Sequence, residues 1–206
     1  MRTAFGTERC PPAPIPRNNT TIAMKKENQD TFSSETPILP LDVMRAVYRA
    51  MEFHTEENDG RITVRLALEN MDVVVISWGN PNDVATVIVR LPVRATPEFR
   101  AKTGEFLHRL NFNSKRKFWE MDYNDGEIRM AAYTDTLIGP LTEEHFRGIL
   151  HCMVKTADTV FPYLTSVLSG RMAPDFAADQ ADAAIYAQWN KGNNPEEENG
   201  KAESEE

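Results

Sequence analysis

Between Arg61 and Val93 three strand-like stretches follow one another, "RITVRLALE", "MDVVVISW" and "VATVIVRLPV". Only a Glu69-Asn70 turn and the segment Asn80-Pro81-Asn82-Asp83 separate them. Parallel strands need a crossover of roughly a dozen residues or more, so connections this short require antiparallel neighbours. In the first stretch Ile62, Val64, Leu66 and Leu68 alternate with Arg61, Thr63, Arg65 and Ala67, the pattern of a half-buried strand. The second is apolar on both faces, as expected of a central or interface strand.

Helical patterns flank this unit. Leu41, Met44, Val47, Tyr48 and Met51 recur at helical spacing before it, and Asn58-Asp59-Gly60 then supplies a turn. After it, Pro97 suits a first helical turn, with Phe99, Thr103, Phe106, Leu107 and Leu110 as the inner stripe and Gly104 as a packing position. Asn111 and Asn113 fit the positions just past that helix, because asparagine tolerates left-handed backbone angles. Asp125-Gly126 signals a two-residue hairpin. That loop sets Tyr123 opposite Ile128, Met121 opposite Met130, Trp119 opposite Ala132 and Asp122 opposite Arg129; a bulged three-residue loop would shift the register. Thr142 caps a long helix with Glu143 and Glu144 in its first turn, Pro162 should kink or interrupt it, and Gly170 ends it. The order is helix, three strands, helix, two strands, helix. It predicts an α+β domain, an antiparallel sheet of about five strands with helices packed on it.

The domain spans 37–170, with a C-terminal helical extension over 171–191 that holds Phe176, Ile185, Tyr186 and Trp189 amid much alanine. Residues 1–36 are polar and rich in proline, and 192–206 are acidic. Both read as disordered, and Met24 is a plausible native start. The net charge is -8, of which -5 comes from Pro195 to Glu206, which argues against general affinity for nucleic acid or anionic lipid. No apolar run reaches the roughly 20 residues of a membrane span. The N-terminus lacks an apolar signal core, so a cytoplasmic location is expected.

Chemistry-bearing patterns are sparse. His54, His108, His145 and His151 have no i, i+4 pair, and Cys10 and Cys152 form no Cys-x-x-Cys, so no metal and no cofactor is expected. The adjacent His151 and Cys152 diverge by about 100° on a helix, which disfavours a catalytic couple. Lys115-Arg116-Lys117 ahead of Phe118 and Trp119 suggests base stacking beside a basic patch. Such a patch gains weight only if Arg94, Arg100 and Lys102 join it; otherwise the stretch is a solvated connector.

The element order, with "FLHRLNFN", the hairpin "FWEMDYNDGEIRM", "LTEEHF" and "ADTVFPYL", resembles the YbjN family of bacterial proteins over about Leu41 to Gly170. The resemblance implies the fold of type III secretion chaperones and a sensory or stress-regulatory role, with no catalytic residue to carry over. The expected function is a non-enzymatic protein-binding module, chaperone-like or regulatory, acting as a homodimer with a further, unknown protein partner. The alternative is a small-molecule sensor or hydrolase with a pocket between sheet and helices. Strand alternation names the contact surface. With Val74, Ile76 and Trp78 facing the helices, Val73 and Val75 face away. With Ala85, Val87, Val89 and Leu91 inward, Thr86 and Ile88 lie outside. Val73, Val75, Thr86 and Ile88 are thus the expected protein-binding patch, unless the C-terminal helix covers it.

Overall fold

The computed structural model describes residues 39–80, 83–114, 117–137 and 139–191; the expectations for 1–36, Met24 and 192–206 lie outside them. The chain runs α1 (Pro40–Ala50), β1 (Thr55–Asn58), β2 (Arg61–Ala67), β3 (Asp72–Gly79), β4 (Val84–Arg94), α2 (Arg100–Asn113), β5 (Lys117–Met121), β6 (Glu127–Asp135), α3 (Glu143–Leu168) and α4 (Pro174–Lys191). The α+β architecture is as expected, with one strand more. The six strands form a single antiparallel sheet in the order β1-β2-β3-β4-β6-β5.

The added strand comes from Asp59-Gly60. Both residues have positive φ, 49° and 69°, and Asn58 pairs with Arg61 across them. That is the primed two-residue turn whose twist matches paired strands, so it folds Thr55–Asn58 back onto β2. The second Asp-Gly behaves differently. Met121 pairs with Ile128, Trp119 with Met130 and Glu120 with Arg129, a shift of two residues from the two-residue-loop register that leaves every side chain on its expected face. Asp122 N–H donates to the Glu127 carbonyl at 2.9 Å and Gly126 N–H to the Asp122 carbonyl at 2.7 Å. The Asp122 and Asp125 carboxylates accept the Asn124 and Glu127 N–H groups, offering the chain local turns in place of a tighter hairpin. A Cβ on Gly126 would sit 2.1 Å from the Ala95 carbonyl oxygen, so the close approach of the β4 end demands glycine.

Pro92 lies where the β4–β6 register breaks between Arg90 and Arg94, as a residue without an N–H requires. Helix α3 runs through Pro162 as one element, so the proline does not interrupt it. Proline at 162 leaves the Asp158 carbonyl without its helical donor, and Asn70 supplies another. Its Nδ2 donates to that carbonyl at 3.3 Å, and its backbone N–H donates to the Asp158 carboxylate at 2.9 Å. The β2–β3 turn thereby docks on the helix at its weak point.

The core joins one face of the sheet to the helices. Ile62, Val64, Val73, Val75, Val87, Val89, Trp119 and Met130 meet Val43, Met44, Val47, Phe106, Phe146, Leu150 and Val160. Tyr48 is fully buried, edge-on to Phe146 with ring centroids 5.4 Å apart, and its hydroxyl lies 2.6 Å from the Ser77 hydroxyl. Helix α4 packs on α2 and α3 through buried Ala177, Ala178 and Ala181. Asn113 donates to Asp182 at 2.6 Å and Thr159 to Gln188 at 2.8 Å. It therefore thickens the helical side and does not cover the opposite face of the sheet.

Candidate functional site

Strand parity decides what the opposite face presents. Val73 and Val75 are 2% and 0% exposed and belong to the core, which overturns their outward placement. Register explains why. Leu68 N–H donates to the Met71 carbonyl, Leu66 pairs with Val73, Val64 with Val75 and Ile62 with Ser77. Cross-strand partners share a face, so the inward residues of β2 carry Val73, Val75 and Ser77 inward with them. The polar Ser77 is accommodated because Tyr48 hydrogen-bonds it. Burial pushes the Tyr48 hydroxyl up to about 12, against the opposing pull of the Ser77 hydrogen bond.

Thr86 and Ile88 do lie on the outer face. They are 4% and 8% exposed and stand apart from the core cluster. One cross-strand row reads Thr63, Ile76, Ile88, Ala131, Phe118. The next reads Arg61, Trp78, Thr86, Tyr133, with the Arg61 guanidinium 5.2 Å from the Trp78 ring centre. Val74, Ile76 and Trp78, expected inside, are half-buried on this outer face. Phe118 and Tyr133 are 42% and 47% exposed. Among the described residues no helix packs on this side.

The face is electrostatically lopsided. On β2, Arg61 and Arg65 are exposed, and Arg65 has no ion pair among the described residues. At the other side the β5–β6 hairpin opens a depression of about 500 Å³ lined by Glu120, Asp122, Asp125 and Glu127 with Met121 and Arg129. Glu120 accepts from Arg129 at 2.7 Å and from the Tyr133 hydroxyl at 3.1 Å. That pairing raises the Arg129 guanidinium above its usual range. The Asp125 carboxyl is held below the usual carboxylate range, chiefly by the Glu127 backbone N–H, with Arg94 and Arg100 adding to it.

The sheet edges differ from its open face. β1 is four residues long, wholly exposed and acidic, a blunted edge. On β5, the Asn111 side chain takes both backbone groups of Trp119, accepting its N–H at 2.7 Å and donating to its carbonyl at 2.8 Å. Asn111 is thus inside α2, which runs on to Asn113, and serves as a strand mimic instead of a residue beyond the helix end.

Other sequence candidates do not assemble. The four histidines are exposed, His54 ahead of β1, His108 on α2 and His145 and His151 on α3, and no group of three or more His, Cys, Asp or Glu side chains is placed to hold a metal among the described residues. Half-buried Cys152 neighbours the Lys117 ammonium at 3.4 Å, and that ammonium also donates to Thr156 at 2.6 Å. Lys117 therefore points into α3 and away from a basic surface loop; Lys115 and Arg116 lie outside the described residues. Arg94 pairs with Asp125, and Arg100 donates to the Tyr123 carbonyl at 2.8 Å, so both serve the acidic hairpin. A second depression, of about 250 Å³, is edged by Arg45, Arg49 and Glu57. The first lies on the β5–β6 hairpin; the second sits where α1 meets β1 and β2, with Phe53, Thr55 and Ile62 completing its lining. No helix among the described residues is long and apolar enough to cross a membrane.

No family model matches the chain, and no curated protein does. Among solved structures the chain is similar to a crystal structure of YbjN from E. coli. The two share 14% sequence identity and a TM-score of 0.43, over 58% of this chain and 87% of that one.

Proposed function

We propose that this chain is a non-enzymatic protein-binding module, regulatory or chaperone-like and cytoplasmic, that acts as a homodimer and meets its partners through the helix-free face of its sheet. The observation that carries the proposal is the contrast in packing. The layer between sheet and helices is lined by apolar side chains, whereas Ile76, Trp78, Phe118 and Tyr133 lie on the other side with no helix of the described residues against them. A contiguous apolar patch with a charged rim is the usual mark of a protein contact. Strand addition is the weaker route, because one edge is short and acidic and the other is occupied by Asn111.

The test is site-specific photo-cross-linking in intact cells. A photoreactive amino acid at position 63 or 76 on the sheet face should give discrete protein adducts, and one at position 108 on the exposed side of α2 should give none. Equal labelling from both places, or none from the face, rules the reading out.

A further inference from the structure

We infer that the first occupant of the open sheet face is a second copy of this chain, stacked face to face with Arg65 of each copy entering the acidic hairpin depression of the other. The inference rests on the protein-binding reading above and names its partner. Three observations carry it.

The first is charge complementarity. Arg65 on β2 and Glu120 on β5 lie in one cross-strand row, Arg65, Val74, Arg90, Arg129, Glu120. A two-fold axis parallel to the strands and passing over β4 exchanges β3 with β6 and β2 with β5. It sets the unpaired Arg65 against the carboxylates around Glu120, twice per dimer, as an isologous contact requires. Arg90 approaches its own copy on the axis, and Glu127 lies 3.9 Å from it, which offsets the like charge.

The second is apolar self-complementarity. The same axis sets Ile88 against Ile88, Ile76 against Ala131 and Trp78 against Tyr133. Apolar side chains thus meet apolar or aromatic ones across the axis, as two sheets packed about 10 Å apart require. The third is area. Five strands about 4.8 Å apart, paired over roughly 20 Å, outline at most about 500 Å² per copy and about 1,000 Å² per pair, the threshold of a biological interface and the size of a weak, reversible dimer.

The experiment is a charge exchange read by sedimentation equilibrium on the full chain, with circular dichroism to confirm folding. Wild type should dimerise. Arg65→Glu and Glu120→Lys should each weaken the dimer by about tenfold or more, because each sets like charges together at two places. The equimolar mixture restores both opposite-charge contacts and should return to within about threefold of wild type. The inference is overturned by a wild type that stays monomeric up to about 100 μM, or by a mixture no tighter than either variant alone.

A second arm separates the two readings. Position-specific adducts at 63 and 76 with a monomeric purified chain give the face to another protein; they overturn the second copy and the homodimer and leave the protein-binding reading standing. Absence of adducts from a monomeric chain defeats both. A monomer whose face already resists labelling at the lowest concentration assigns it to the chain's own remaining segments and likewise overturns the second copy.

Discussion

On β3, Val73, Val75 and Ser77 point at the helices, while Val74, Ile76 and Trp78, their immediate neighbours in sequence, point the other way and meet no helix among the described residues. Both sets are largely apolar, and it is the inward one that carries the polar Ser77. What separates them is the register with β2 and the hydrogen bond that Tyr48 offers to Ser77. Hydrophobicity therefore identifies this strand as buried on both sides, and only pairing tells which side is core and which is interface.

The comparison is broken most severely by a charge. Val75→Asp places a carboxylate in the core without a partner and should cost several kcal/mol, enough to remove cooperative unfolding. Ile76→Asp, one residue along, should leave the thermal transition of the monomer within about 1 kcal/mol of wild type. Calorimetry on both variants checks this, and a folded Val75→Asp would reverse the assigned parity.

The inner face has its own pH signature. Tyr48 keeps its proton in the folded chain to about pH 12, while the unfolded tyrosine loses it near pH 10. The stabilisation is complete below pH 10 and is lost as pH rises from there to 12, by roughly 2–3 kcal/mol. Denaturant titrations across this range should show the loss in wild type and a flatter profile in Tyr48→Phe. That variant orphans the Ser77 hydroxyl, at about 1–2 kcal/mol, and Ser77→Ala added to it should recover most of that cost.

A smaller effect tests how the β2–β3 turn is anchored on the helical side. Asn70→Ala should lower stability by about 0.5–1 kcal/mol by removing the side-chain donor from the Asp158 carbonyl at an exposed site. Pro162→Ala supplies that donor from the helix itself, so the loss should shrink in the double variant. Additive losses would show that Asn70 acts elsewhere.

Much of this was legible in the chain. Short turns between apolar segments fixed the antiparallel α+β class, and the Thr142 cap holds as read, with His145 N–H on its hydroxyl at 3.1 Å. The parity of β3 was also available: a two-residue turn at Glu69-Asn70 pairs Val64 with Val75, which forces Val75 inward once Val64 is inward. Placing Val74, Ile76 and Trp78 inward is incompatible with that pairing. Less legible were features decided by distant contacts. Asp59-Gly60 and Asp125-Gly126 share a dipeptide, yet only the first makes the tight hairpin, because Ala95 closes on the second. Pro162 read as a helix breaker because its remedy, Asn70, is 88 residues from Asp158 in sequence. The site itself, a sheet side without a helix among the described residues, follows from the packing of α4 on α2 and α3, which an alanine-rich sequence with weak periodicity does not announce.

The most direct test of the account is covalent footprinting of the purified full chain by a diffusible carbene reagent, from about 0.1 μM to about 100 μM protein. Labelling of Ile76, Trp78 and Phe118 should fall as concentration rises, while the exposed Phe112 on α2 and Tyr186 on α4 stay constant. Protection confined to α2 and α4, or labelling of the sheet face that does not change with concentration, would contradict it.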